Sequence, residues 1–505
     1  MHRRSKPAVG RIALPLVVGV ALVAAACGGG GAEPPPDDER VAVADLASAE
    51  SLAEDSATNA SAASDPTPEA ETAAVEAEGA AAAEAGAGTL EPDATPDDDL
   101  AEEVVDPWAN LRRDLLIELT DPAQVDLLRE IGETVAERRG LPLQRDVPAY
   151  LIRRSDLAAY FLSFYDAEDL AEADFVQTAY RLLGIIDDDL EIISLLQELY
   201  VGLVLGFYDP DVDVFIIVSS NEGIASRDIE TITHEFVHVL QDQHFDLGAT
   251  FDDLSHNSDA ALAYRFVVEG DARLSEALFK DLEARIAAQL EGAQDRLPGV
   301  GGTIPFVMER VFTAPYREGV IAIAALLAEG GIELINDLLA EPPDSTEQLL
   351  HLERLAAREP PLPVDDPDFG VALGVTWKSL RTDTLGEFFV RVLLDDELSA
   401  DAAKAGADGW GGDRVAVYRS TAGEELLAWH LRWDSVDEGT EFFDTFAAWL
   451  DRRSGGESQS DDENLRLTWS SEERTYWVQG RAGETWILVG TEAAAVSRAS
   501  ALLAE

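Results

Sequence analysis

Cysteine is all but absent from this chain: Cys27 is the only one in 505 residues, so no intrachain disulfide can form. If that cysteine is itself modified, a metal site in the folded part must use histidine and carboxylate. Positive charge is also scarce. Lys and Arg number 37 against 98 Asp and Glu, a formal net charge of -61, which repels phosphate and excludes nucleic acid as a partner. Much of the acid lies in one low-complexity stretch, so the folded region is less extreme than the total; a salt-adapted surface is a second reading of the same excess. The apolar run from Ile12 to Ala26 is too short for a comfortable membrane span. With 505 residues there remains room for two or three domains and a sizeable core.

What is present begins with a processing signal. Arg3, Arg4, Lys6 and Arg11 flank the apolar run, and Ala24, Ala25 and Ala26 lead into Cys27 and a run of glycines. That layout is a secretory signal. It resembles a bacterial lipoprotein signal, residues 1–27, which implies lipidation at Cys27 and an extracytoplasmic protein held to the cell membrane; ordinary secretion or an uncleaved anchor are the alternatives. Residues 28–105 contain Ala, Glu, Asp, Pro, Gly and Thr with almost no aromatic or branched apolar residues. Such a stretch cannot bury enough surface to offset ordering entropy, and it is expected to be a disordered tether. As a coil it would hold a domain on the order of 50 Å from the membrane.

Periodic apolar patterning starts near Trp108. It predicts one or two helices over Leu111 to Arg139, a strand over Val147 to Arg153, and helices over Ser155 to Leu183 and Asp188 to Leu205. A turn is expected at Phe207 to Pro210, followed by a strand over Val212 to Ser219. Further helices are expected over Ser258 to Leu290, over Glu318 to Leu339 with an interruption at Gly330 and Gly331, and over Leu380 to Asp395. From about Asp413 the chain turns to short aromatic and branched strands with one helix, Val436 to Leu450. The expected fold class is α+β: a mainly helical zincin-like core over 106–362 with a short edge sheet, then a β-rich α+β lobe over 363–505. The tryptophans of that lobe are more often core at strand spacing than a carbohydrate-binding face.

The segment IETITHEFVHVLQDQH places His234, Glu235 and His238 in the spacing H-E-x-x-H. On a helix the two histidines lie one turn apart on one face and can reach one metal ion, with Glu235 beside them as a base for a water. Ile229, Ile232, Phe236, Val239 and Leu240 form the buried stripe of this helix, and Ser226 is a plausible N-cap. Glu269, in VVEGDARL, is the candidate third ligand; from spacing alone it could equally pair with Arg265 or Arg273. Gly270 costs about 1 kcal/mol inside a helix, a cost that a close approach to the motif helix would explain. His244 reads as a helix-end residue.

The segments FYDPDVDVFIIV, THEFVHVLQDQHFDL, VVEGDA, PYREGV, PPDSTEQLLH and GWGGDR resemble a family of bacterial secreted zinc metallopeptidases of the gluzincin type. The resemblance spans roughly 106–505, and the first three segments carry its chemistry. It implies a zinc ion held by His234, His238 and Glu269. It also implies a strand before the motif helix, here Val212 to Ser219, that edges the cleft and pairs with substrate. One departure is plain: better-known gluzincins carry an Asp four residues past the third ligand, where this chain has Arg273. The second partner of a histidine is therefore unassigned. Tyr316, His351 and Tyr208 are candidates to stabilise an oxyanion. The expectation is a membrane-tethered extracytoplasmic zinc metallopeptidase acting on a peptide or protein, with Glu235 as general base. A non-catalytic envelope binding protein, or an amidase acting on a cell-wall amide, are the alternatives.

Overall fold

Short branched and aromatic runs in the first part of the chain pair into a small sheet. The computed structural model describes residues 112–503, apart from 164, 211, 220–222, 282–283, 285–303, 455–458 and 462–464. The expected signal, tether and Cys27 lie outside the described residues. Strand β1 (Leu116–Glu118) runs antiparallel to β2 (Ala149–Ile152), β2 runs parallel to β4 (Val214–Val218), and β4 pairs antiparallel with β3 (Gly206–Asp209). The sheet order is therefore β1-β2-β4-β3.

Three expectations change here. The stretch from Leu111 to Arg139 is not purely helical, because Leu116 to Glu118 are extended. Helix α1 (Pro122–Arg139) restarts only where Asp121 caps Ala123 N–H and Pro122 takes the first turn, and it ends on Gly140 at φ 79°. Phe207 to Asp209 are strand rather than turn. Finally, β4 is an interior strand with all five residues buried, so it has no free edge for substrate; β3 is the edge strand on this side.

Helices α2 (Ala167–Leu183) and α3 (Ile192–Leu203) precede the hairpin of β3 and β4. Helix α4 (Ile229–Phe245) follows it. Its expected stripe of Ile229, Ile232, Phe236, Val239 and Leu240 packs on the small sheet and α1, with Phe236 stacked on Phe215 at 5.5 Å. The residue in the N-cap position is Asp228 rather than Ser226, which begins a preceding 3-10 turn. His244 closes the helix by bonding to Pro142 O at 2.8 Å.

Helix α5 (Ser258–Ser275) is shorter than expected and lies almost entirely in the interior. It is fixed at its start by Asn257, which accepts from Ala260 N–H at 3.0 Å, and by Asp383, which accepts from the Ser258 hydroxyl at 2.6 Å. Its glycine serves a different neighbour from the one expected. A Cβ on Gly270 would meet Gly319 O at 2.6 Å, and one on Gly319 would meet Phe266 O at 2.6 Å. Gly270 therefore lets α5 close on α6 (Phe306–Ala340), not on α4. Helix α6 holds Pro315 and breaks its helical geometry at Gly331, φ 70°.

The second sheet is antiparallel throughout, in the order β5 (Trp377–Asp383), β6 (Trp410–Ser420), β7 (Glu425–Trp433), β11 (Glu484–Gly490), β10 (Thr475–Arg481), β9 (Arg466–Ser470), β8 (Gln459–Asp461). It starts with β5, so the expected helix begins later, as α7 (Gly386–Asp395). β6 and β7 precede α8 (Val436–Ser454); then come β8, β9, β10, β11 and α9 (Ala493–Leu503). Period-two alternation gives each face its own partner. Val415, Val417, Leu427, Trp429 and Ile487 share a cluster with Phe442, Phe446 and Trp449 of α8. Ala416, Tyr418, Leu426, Ala428 and Leu488 pack with Val496 and Ala499 of α9. The fold is thus α+β. Trp410, Trp429, Trp433 and Trp477 are buried, and Trp486 stacks on His430 at 3.9 Å. Across the expected boundary near residue 362 the interior is shared: Phe388 of α7 meets Phe266 of α5 edge to face at 5.3 Å.

Candidate metal centre

Two helices and one strand edge converge on His234, Glu235, His238 and Glu269, all of them almost fully buried. The spacing of four on α4 turns both imidazoles the same way, and α5 brings Glu269 against them. His234 Nε2 and His238 Nε2 are 3.1 Å apart, and Glu269 Oε2 lies 3.4 Å from each. Donors around a tetrahedral ion with bonds of about 2.0–2.1 Å are about 3.4 Å apart. The triangle therefore matches three corners of such a tetrahedron.

The hydrogen bonds behind the histidines set their tautomers. Gln241 Nε2 donates to Val268 O at 3.0 Å and to Asp271 Oδ2 at 2.8 Å, so its Oε1 must be the atom facing His238 Nδ1, at 2.8 Å. His238 Nδ1 is then the donor. His234 Nδ1 likewise donates to the Glu276 carboxylate at 2.9 Å. Both Nε2 atoms are left with lone pairs aimed at one point beside a carboxylate oxygen, and Glu269 Oε2 has no hydrogen-bond partner. That arrangement fits a cation.

The electrostatics agree. Burial opposes charge on His234, yet the nearby Glu269 and Glu276 carboxylates outweigh burial and push its pKa up; His238 shifts the same way, mainly through the charge of Glu269. Burial works against ionised Glu269 as well, but the two histidines hold its pKa down. The cluster retains positive charge, which a divalent ion can supply in place of a proton. Two imidazoles and one carboxylate suit a borderline ion of the zinc class rather than calcium or magnesium, which favour all-oxygen sets.

Glu235 points into the same space from the other side. Tyr208 N–H, on edge strand β3, donates to its Oε2 at 3.0 Å, while Oε1 has no partner. Burial pushes Glu235 up to about 7, with His238 and His234 pulling the other way. One oxygen is thus held and the other is available for proton transfer near neutral pH.

Of the three candidate oxyanion donors, Tyr316 is the one beside a ligand, with its phenol bonded to the Glu269 carboxylate. Burial, the neighbouring Glu269 charge and the hydrogen bond to that carboxylate raise its pKa well above the ordinary value, so it stays neutral and could serve an oxyanion only by turning its proton from Glu269. The Tyr208 hydroxyl is occupied instead by Asp242 at 2.7 Å and Asp213 at 2.8 Å. His351 is taken up by Glu387 at 2.9 Å and faces Asp408 at 3.6 Å. Neither is arranged to serve an oxyanion.

Sequence reasoning missed Glu276, Gln241 and Asp271. The place left open by Arg273 is filled by a relay: Arg273 does not touch a histidine but bridges to Glu276 at 2.8 Å, and Glu276 bonds His234. An acid seven residues past Glu269, on the same side of α5 carried on by one more turn, was the available signal. His238 and Glu269 also border a narrow cleft lined with Tyr208, Leu247, Phe251 and Arg265.

Among the described residues no helix is long and apolar enough to cross a membrane. No curated protein and no solved structure matches the chain. A family model described as a domain of unknown function, DUF8575, matches residues 375–500, the segment of the larger sheet, and leaves α4 and α5 outside the match.

Proposed function

We propose that this chain is a zinc-dependent metallopeptidase with a zincin-like core, in which His234, His238 and Glu269 hold the ion. The observation that carries the reading is the triangle of donor atoms at 3.1–3.4 Å with Glu269 Oε2 unpartnered. When bound, zinc supplies Lewis acidity, acidifying a water toward a pKa of about 7 and polarising a carbonyl. Glu235 takes a proton on its free Oε1 and returns it to the leaving amine, while Tyr208 N–H keeps the other oxygen in place. Tyr316, turning its proton from Glu269, donates from its phenol to negative charge developing on the substrate carbonyl oxygen. Glu276 and Gln241 hold both imidazoles in the ligating tautomer. In the small sheet β3, rather than β4, is the edge strand, and its Tyr208 N–H is spent on Glu235. With the expected lipidation at Cys27, the enzyme works outside the cytoplasm, tethered to the membrane.

The test joins metal content to turnover. Purified full-length protein is expected to hold about one zinc per chain. Glu235→Gln should keep the metal and lose hydrolysis by about 10²–10⁴-fold, and Glu269→Ala should lose the metal. Full proteolysis by metal-free protein would overturn the reading.

A further inference from the structure

Arg265 stands one turn before Glu269 on α5, so their side chains start about 6 Å apart on the same face. Both line the cleft beside His238, with Phe251 and Tyr208. Arg265 is 8% exposed, its guanidinium carbon lies 5.6 Å from the centre of the Phe251 ring, and its Nη2 has no hydrogen-bond partner. A guanidinium withdrawn from water without a counter-ion is costly, and buried arginines are normally paired. The same helix shows the normal case: Asp271 holds the buried Arg139 at 3.0 Å.

No described carboxylate plays that part for Arg265. Glu269 is engaged by the two histidines at 3.4 Å. On its other side Arg265 borders an apolar pocket of about 120 Å³ lined by Phe175, Leu262, Met308 and Phe389, where the acids are Glu172 and Asp383. Glu172 bridges to Arg381 at 3.4 Å, and Asp383 accepts from Ser258 and from Thr384 N–H. Burial draws the pKa of Arg265 down to about 10, with Tyr316 and Glu269 resisting, which leaves it a cation at neutral pH.

We infer that Arg265 is a substrate-recognition residue that receives a carboxylate, so that the enzyme favours peptides presenting one close to the bond that is cut. A guanidinium fork matches a carboxylate through two parallel N–H···O bonds. Its starting distance from Glu269 fits a reach of about two extended residues at about 3.5 Å each. The carboxylate is either the free C-terminus or an acidic side chain. This inference rests on the peptidase reading of the adjacent ligands.

The test uses the full chain in two arms. In the first, chelator-treated, metal-free protein is titrated calorimetrically with N-acetyl-leucine, which has a free C-terminal carboxylate, with its neutral amide, with N-acetyl-aspartyl amide, which has only a side-chain acid, and with the neutral N-acetyl-asparagine amide. Wild type should bind a carboxylate probe at least 10-fold more tightly than the neutral ones; whichever acid binds names the source. Arg265→Met should bring that ratio near one, and Arg265→Lys, which keeps the charge but not the fork, should restore part of it. In the second arm, zinc-loaded protein is offered one peptide series with free and amidated C-termini and with Asp or Asn near the cut. The acid preference should lie mainly in KM and collapse in Arg265→Met. Acid and neutral probes bound equally by wild type, or a preference that survives in both variants, would overturn the inference. Binding preference without any peptide cleavage would support the carboxylate site while removing the peptidase reading; cleavage without any acid preference would do the reverse.

Discussion

His234 Nδ1 donates to Glu276 Oε1 at 2.9 Å, and Glu276 stands two helical turns beyond Glu269. One helix and its continuation thus supply both a ligand atom for the ion and the acceptor that orients another ligand. Outer partners of this kind typically change metal affinity by about 10–100-fold. Glu276→Ala should weaken zinc binding by that factor in competition with a chelator, and Glu276→Gln, which retains an acceptor oxygen, should lose less. Unchanged affinity in both variants would mean that Arg273 and Glu276 form only a helix-end ion pair.

The HExxH spacing and the apolar stripe were legible because both depend on the 3.6-residue repeat within one helix. Glu269 was half legible: its place on a following helix could be read, but its choice of the histidines over Arg265 and Arg273 is decided by how α5 packs. The strand assignments failed where tertiary pairing decides. Val214 to Val218 reads as a strand from composition, yet only the partners on both sides make it interior. The reach of Gln241 to Asp271, 30 residues on, follows from no local pattern.

Gly270 and Gly319 let α5 and α6 approach until a Cβ on one would overlap the backbone of the other. Gly270→Ala must push the helices apart, and overpacking of this kind costs about 1–3 kcal/mol. The helix that moves carries Glu269. Thermal unfolding should therefore shift down together with a fall in zinc affinity. A gain in stability, as a glycine to alanine change gives in an unconstrained helix, would contradict the contact.

Glu172 offers a pH dependence remote from the ligands. Burial pushes its carboxyl from 4.5 up to about 7, although Arg381 pulls it down. The folded pKa lies above the unfolded one, so this group's contribution is fully present below about pH 4.5 and is lost as pH rises through about 7. The difference corresponds to about 3 kcal/mol. Glu172→Gln removes that dependence. In urea unfolding the variant should gain on wild type between pH 5 and pH 8, and a constant difference over that interval would refute the assignment.

Arg139 ties the site to the frame. It donates to Asp271 at 3.0 Å from both Nε and Nη2 and to Asn336 Oδ1 at 2.9 Å, while Asp271 in turn accepts from Gln241, which holds His238. Helices α1, α4, α5 and α6 meet at this one buried network. Breaking a buried pair by removing one partner strands the other charge and costs about 3–5 kcal/mol. Arg139→Met should destabilise by that amount, and adding Asp271→Leu should recover part of the stability because no charge is then left alone. Zinc affinity should behave differently. Without Asp271, Gln241 keeps only Val268 O of the two acceptors that fix its amide, so the double variant should be more stable than Arg139→Met yet bind zinc no better. Stability and affinity recovering together would mean that the network supports the fold alone and does not orient His238.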